Sequence, residues 1–330
     1  MQTALPPSTE TGKLGIMHLK RFWYKTKNGT HGVEIPSIEV QLDKTVLFAV
    51  GVGLQQGIKA TFQTNSFEDF EDWITTVAGT PIAETTQRFN NEITGNTTNT
   101  TAIHKIFTDE EMDGFNRDGY IILRNAISAD ECNSIIDALC NFAAIDKDDP
   151  QTWYDVQNSQ AIMIQLFQHP ALQKTRDNLR IRRAFEQLWN RTDIWPSLDR
   201  VGFNPPATVT HPYKGDGLHW DVSLQQPIPF ALQGLIYLTD TEAHQGAFTL
   251  VPGFQHKIGD WLQSLPAGSN PRSQNLNGLG SQPIAANAGD LIIWQQALPH
   301  GASPNRSDRP RFVQYLSYNP AILQHQQVWI

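Results

Sequence analysis

From about residue 198 the chain becomes a succession of short apolar runs separated by Gly and Pro. These are DRVGFN, GLHWDVS, FALQGLIYLTD, AFTLVPG, DLIIWQ, LPHGAS and RFVQYLSYN. Segments of this length are too short for stable helices but suit strands, and strands following one another with few helices between them pack as two antiparallel sheets. The expected core is therefore all-β, a β-sandwich or jelly roll spanning 196–320. The stretch before it, 105–195, reads mainly as helix. Thr108 with Glu111 and Ser128 with Glu131 fit the S/T-x-x-E box that satisfies the free amides of a helix start. Helices are expected over 109–117 and 129–143, with the strand YIIL at 120–123 between them. SQAIMIQLFQ and ALQKTRDNLRIRRAFEQLWN are expected to be further helix.

The first hundred residues have a different texture. GKLGIMHLKRFWYK and SFEDFEDWITTV read as short helices, while TVLFAVGVGLQQGIKATF is apolar without a clear period. A Thr- and Asn-rich stretch, NEITGNTTNTTA, reads as a linker. The division expected is an accessory module over 1–100, serving as a lid, a dimerisation element or a carrier-protein contact, and a second domain over 101–330.

Bulk properties narrow the function. A net charge of -8 on 330 residues lacks the basic footprint of a nucleic-acid binder. The longest apolar candidate, TVLFAVGVGL at 45–54, is too short to span a bilayer. The N-terminal residues lack the apolar core of a secretory signal. Cys132 and Cys140 fall on one expected helix, about 12 Å apart at 1.5 Å per residue, too far for a mutual disulfide. These features together suggest a reducing, cytoplasmic setting.

The chemistry concentrates in two places. His219 and Asp221 stand two apart in GLHWDVS, and on a strand such residues share one face. Alone, such a pair is also an ordinary hydrogen-bonded pair on a strand. His300 follows the apolar run DLIIWQ, and Arg311 opens the last strand. Read as a hairpin, these two strands would put His300 and Arg311 on facing positions of one wall. Neither face of the Arg311 strand is polar: Val313, Tyr315 and Ser317 share the arginine's side, and Phe312, Gln314, Leu316 and Tyr318 the other. A buried guanidinium cannot lose its charge, so it needs an anion, and a protein carboxylate or a ligand carboxylate would serve. Two histidines and one carboxylate with open positions suit a non-haem Fe(II) centre, and a cation at the far end would anchor an anionic chelator. Gln233, Leu235 and Tyr237 share one face of QGLIYL and are expected to point inward. There Gln233 would either bind the co-substrate or serve as a structural amide.

GLHWDVSL, QGLIYLTDTEAHQGAFTLVPGFQHK and AGDLIIWQQALPHGASPNRSDRPRF, preceded by FNRDGYIILRNAISADECNSII, together resemble the phytanoyl-CoA dioxygenase family of Fe(II)/2-oxoglutarate oxygenases. The resemblance covers roughly 105–320. It implies a cupin-like double-stranded β-helix with flanking helices, and His219, Asp221 and His300 as iron ligands. It also implies Arg311 as the anchor of the 2-oxoglutarate carboxylate. Fe(II), 2-oxoglutarate and O2 are the implied cofactor and co-substrates, with succinate and CO2 released. Related halogenases carry Gly or Ala in place of the acidic ligand. Asp221 is present, so hydroxylation of a C–H bond in a small organic molecule is the implied outcome. That substrate could be linked to CoA or a carrier, or be a secondary metabolite. Arg176, Arg180 and Arg183 at i, i+4, i+7 would form a stripe able to meet CoA phosphates, or a solvated face paired with acids. A jelly-roll isomerase or epimerase and a non-catalytic binding homologue share parts of this pattern. The first would release no succinate, and the second is expected to have lost a ligand or the anchor.

Overall fold

A computed structural model describes residues 5–30, 32–97, 102–326 and 328–330. The chain divides into two compact units. One holds Met1–Ile103 with Trp189–Asp199 and Tyr318–Gln327, and the other His104–Leu188, Arg200–Ser317 and Val328–Ile330. Part of the expected linker, residues 98–101, lies outside the described residues.

The first unit is mainly helical: α1 (Leu19–Asn28), α2 (Glu39–Ala49), α3 (Leu54–Gln63), α4 (Phe67–Ala78) and α5 (Ala83–Thr94). The apolar segment of unclear period resolves into α2 and α3, broken where Gly51 takes φ +77°. The first expected helix begins later than its pattern suggests, because Gly15 and His18 both adopt positive φ. Leu19, Phe22, Val46, Leu47, Phe70 and Phe89 form the core. The segment 189–199 joins this unit because Trp195 enters that core. Its ring packs edge-on to Phe89, its indole N–H donates to Glu92, and the Arg88 guanidinium lies 3.9 Å from its centroid.

The strands in chain order are β1 (Tyr120–Leu123), β2 (Ser159–Gln160), β3 (Met163–Ile164), β4 (Ile194–Pro196), β5 (Val201–Asn204) and β6 (Leu232–Tyr237). They continue as β7 (Phe248–Leu250), β8 (Gln282–Pro283), β9 (Leu291–Gln295), β10 (His300–Ala302), β11 (Arg311–Tyr315) and β12 (Tyr318–Pro320). β4 and β12 pair with each other in the first unit. The second unit has a seven-stranded sheet, β1-β9-β6-β11-β5-β3-β2, and a three-stranded sheet, β10-β7-β8. Leu235, Tyr237, Ile292, Trp294 and Val313 of the large sheet share one core with Phe248 and Leu250 of the small one. Phe248 and Trp294 meet at 4.3 Å between centroids. This is the expected jelly roll.

Helices α6 (Asp109–Asp118) and α7 (Ala129–Ala143) start at Thr108 and Ser128 with both capping boxes formed. Three expectations fail. SQAIMIQLFQ is not helix but the strands β2, at the sheet edge, and β3 beside it. Ile162, Ile164 and Leu166 are buried with period two, the signature of a sheet face. The helix expected over 171–190 is two helices, α8 (Pro170–Arg176) and α9 (Leu179–Trp189). Asn178 interrupts it by accepting the N–H groups of Arg180 and Ile181. With that break the arginine stripe dissolves: Arg176 is buried and donates to Phe167 O, while Arg180 donates to Asn125 O. Lastly, β10 and β11 do not form a hairpin. β10 pairs with β7 in the small sheet, and β11 lies between β5 and β6 in the large one. A strand covered on both faces gains more from two neighbours than from one, and the loop over 303–310 is long enough to cross between sheets.

Candidate metal centre

His300 opens β10, and its backbone exchanges two hydrogen bonds with His219, N to O at 2.9 and 3.0 Å. The approach is close enough that a Cβ on Gly301 would sit 2.1 Å from Gly217 O, so only glycine fits there. Beyond His219 the expected strand GLHWDVS does not form. The carbonyls of Trp220 and Val222 accept hydrogen bonds from the Arg272 side chain instead of from a neighbouring strand. The three side chains converge even so. One ligand atom from each of His219, Asp221 and His300 lies within 4.8 Å of the others.

Hydrogen bonds orient both imidazoles. The His219 Nδ1–H donates to Gly217 O at 2.9 Å and the His300 Nδ1–H to Leu298 O at 3.0 Å. Each ring therefore turns its Nε2 toward the centre, a lone pair when the imidazole is neutral and an N–H donor to Asp221 when it is protonated. Asp221 lies 3.5 Å from His219 Nε2 and 3.3 Å from His300 Nε2. His300 is buried, whereas the Asp221 side chain keeps 54% of its exposure, which leaves one side of the cluster open. Burial raises the Asp221 carboxyl, but hydrogen bonds from the two imidazoles outweigh it and hold the group well below the usual carboxylate range. The hydrogen bond to Asp221 raises His219 against the opposing effect of burial.

Gln233 faces inward as expected. Its Nε2 donates to Asp221 Oδ2 at 2.7 Å and its Oε1 accepts from Trp294 Nε1 at 3.1 Å. Its amide is thus engaged with the acidic residue and a core indole. Trp220 points away from the cluster, donating to Ala297 O and packing on Phe254 and Trp261.

Arg311 is fully buried, and none of its three side-chain nitrogens has a hydrogen-bond partner among the described residues. Among the described residues no protein carboxylate, which the strand pattern allowed, bonds to it. Burial lifts the phenols of Tyr213 and Tyr237 to about 12 while the charge of Arg311 draws both down, which marks them as its neighbours. His256 Nε2–H donates to Asn116 O at 2.8 Å, and His244 sits exposed beside Glu242, so both stay apart from the cluster. Arg272 is the residue that sequence reasoning missed. No local pattern around NPRSQ ties it to the segment around Asp221, fifty residues earlier.

The profile of the phytanoyl-CoA dioxygenase (PhyH) family matches residues 115–313, more than half of the chain. The chain belongs to that family, whose members are non-haem iron, 2-oxoglutarate-dependent oxygenases. A Dictyostelium discoideum protein whose name places it provisionally among the phytanoyl-CoA dioxygenases is 23% identical over 257 residues, 62% of this chain and 74% of that one. Among solved structures, the chain is similar to iron-bound EctD of S. alaskensis, with 19% identity, 67% and 79% of the two chains covered and a TM-score of 0.48. It is also similar to HygX of Streptomyces hygroscopicus with nickel and 2-oxoglutarate bound, with 15% identity, 67% and 90% covered and a TM-score of 0.47.

Proposed function

We propose that this chain is an Fe(II)- and 2-oxoglutarate-dependent hydroxylase of a small organic molecule. In this reading His219, Asp221 and His300 hold the iron, and Arg311 anchors the distal carboxylate of 2-oxoglutarate. The observation that carries it is the unpartnered guanidinium of Arg311 on the inner face of the large sheet. A permanent charge is costly to bury without an anion. With no acidic side chain among the described residues bonded to it, a carboxylate brought by a ligand is the natural complement, and the planar fork suits one.

The donor set fits the metal. Two neutral imidazoles and one carboxylate leave several coordination positions free, as O2-activating non-haem iron requires. Bound there, iron would supply the redox chemistry that couples decarboxylation of 2-oxoglutarate to oxidation of a C–H bond by O2. The chain's own residues do the positioning. The backbone carbonyls of Gly217 and Leu298 fix the imidazole tautomers, and Gln233, held by Trp294, fixes the orientation of Asp221. Cys132, which is buried, and Cys140, which is partly exposed, are both free, which agrees with a reducing cytoplasmic setting.

Anaerobic titration with Fe(II) and 2-oxoglutarate tests the reading. A weak visible charge-transfer band is expected in the wild type and absent in His219→Ala and Asp221→Ala. Succinate release with screened candidate substrates then separates an oxygenase from an isomerase or a mere binder.

A further inference from the structure

Asp221 sits on a stretch of chain outside every strand of the described residues. A carboxylate that must meet a metal at fixed geometry needs a rigid backbone, and here the usual source of rigidity, a paired neighbour, is replaced. Arg272 Nη1 donates to Trp220 O at 2.8 Å and Nη2 to Val222 O at 2.6 Å. The backbone bends at residues 221 and 222, and the carbonyls on either side of Asp221 still come close enough together for one guanidinium to take both. A guanidinium is a planar fork of fixed width, so bonding both carbonyls sets the spacing across Asp221.

The fork is itself held. Asn270 Oδ1 accepts the Arg272 backbone N–H at 2.9 Å, and the guanidinium carbon lies 4.6 Å from the centroid of the Trp329 ring. Nη2 also donates to Ile330 O at 2.9 Å. Residues 328–330 grip the same stretch from its other end. Leu224 N donates to Ile330 O at 3.1 Å, Ile330 N to Ser223 Oγ at 3.2 Å, and Ser223 Oγ to Val328 O at 2.7 Å.

We infer that Arg272, braced by Trp329 and Ile330, is a positioning residue that acts in place of a strand to aim Asp221 at the metal. This rests on the proposed role of Asp221 as a ligand. The feature that matters is the fork rather than the charge, because two carbonyls at fixed spacing need two donors at fixed spacing. A lysine keeps the charge and loses that spacing.

The test compares the wild type with Arg272→Lys, Arg272→Met and Trp329→Ala, using Co(II) as an O2-stable probe of the centre. Co(II) affinity is expected to fall about tenfold or more in both Arg272 variants, in the range seen when supporting partners of metal ligands are lost. In the metal-free proteins, hydrogen exchange over 219–225 should accelerate while exchange over 232–237 stays unchanged, a pattern that general destabilisation does not produce. The inference is overturned if Arg272→Lys binds Co(II) as tightly as the wild type, or if exchange over 219–225 does not change. Should the Arg272 variants not fold, Trp329→Ala decides. A several-fold loss of Co(II) affinity supports the brace, and wild-type affinity overturns it. A wild type that binds no Co(II) sinks the oxygenase reading and this role with it, whereas a binding wild type with unaffected variants sinks this role alone.

Discussion

Replacing Arg311 with methionine should change two properties in opposite directions. Arg311 is fully buried, and its three nitrogens have no hydrogen-bond partner among the described residues. Removing one partner of a buried ion pair destabilises a fold by about 3–5 kcal/mol, because the other charge is left unpaired. Here no partner is left behind, and methionine keeps much of the apolar stem in place. The metal-free variant should therefore be as stable as the wild type or more so, by on the order of 1–3 kcal/mol. Binding of 2-oxoglutarate should suffer instead. Two charge-assisted hydrogen bonds contribute about 1.5–3 kcal/mol each, so their loss weakens binding by roughly 10² to 10⁴. The assay is thermal unfolding with Mn(II), with and without 2-oxoglutarate. At a ligand concentration a hundred times its wild-type Kd, linkage adds about 2.7 kcal/mol to the wild type and close to nothing to the variant. A metal-free Arg311→Met that unfolds far below the wild type, yet gains the same stabilisation from 2-oxoglutarate, would show that the guanidinium is structural and refute the reasoning.

Three further outcomes follow from single contacts. Gln233→Leu removes the 2.7 Å hydrogen bond to Asp221 and should weaken Co(II) binding about tenfold with little change in melting temperature, as read by anaerobic titration and calorimetry. Gly301→Ala would place a methyl 2.1 Å from a backbone oxygen that a side-chain rotation cannot move. The His219–His300 bridge should open, with a loss of about 1–3 kcal/mol in chemical denaturation and loss of metal binding. Burial depresses the His325 imidazole to about 4, below the value near 6.5 expected in the unfolded chain. The unfolded chain therefore binds the extra proton first. The stability is fully present above about pH 6.5 and is lost as pH falls toward 4, by on the order of 1–2 kcal/mol once partial exposure is allowed for. His325→Gln should flatten that acid limb of the melting profile, and a limb of unchanged slope would count against it.

What could be read from the sequence, and what could not, divides by the range of the interaction involved. The capping boxes at Thr108 and Ser128 depend on residues three apart, and both form. The alternation of β11 depends on residues two apart, and it holds: Val313 and Tyr315 face the core between the sheets, while Gln314 on the other side bonds Thr175 and Leu172. The break at Asn178 was equally local and was obscured only because a good helical pattern ran on both sides of one capping residue. Sheet membership is different. Whether β10 turns back on β11 or crosses to β7 leaves the same alternation in the sequence, since both choices bury the same faces. The segment around Asp221 is the extreme case. GLHWDVS has the composition of a strand, yet the carbonyls of Trp220 and Val222 are satisfied by a side chain fifty residues away, and nothing within the segment records that. A sequence motif can thus identify which side chains converge while leaving open what holds them there. In this chain the holding groups, Gln233, Trp294 and Arg272, come from three separate places, which is why each can be altered without touching a proposed ligand.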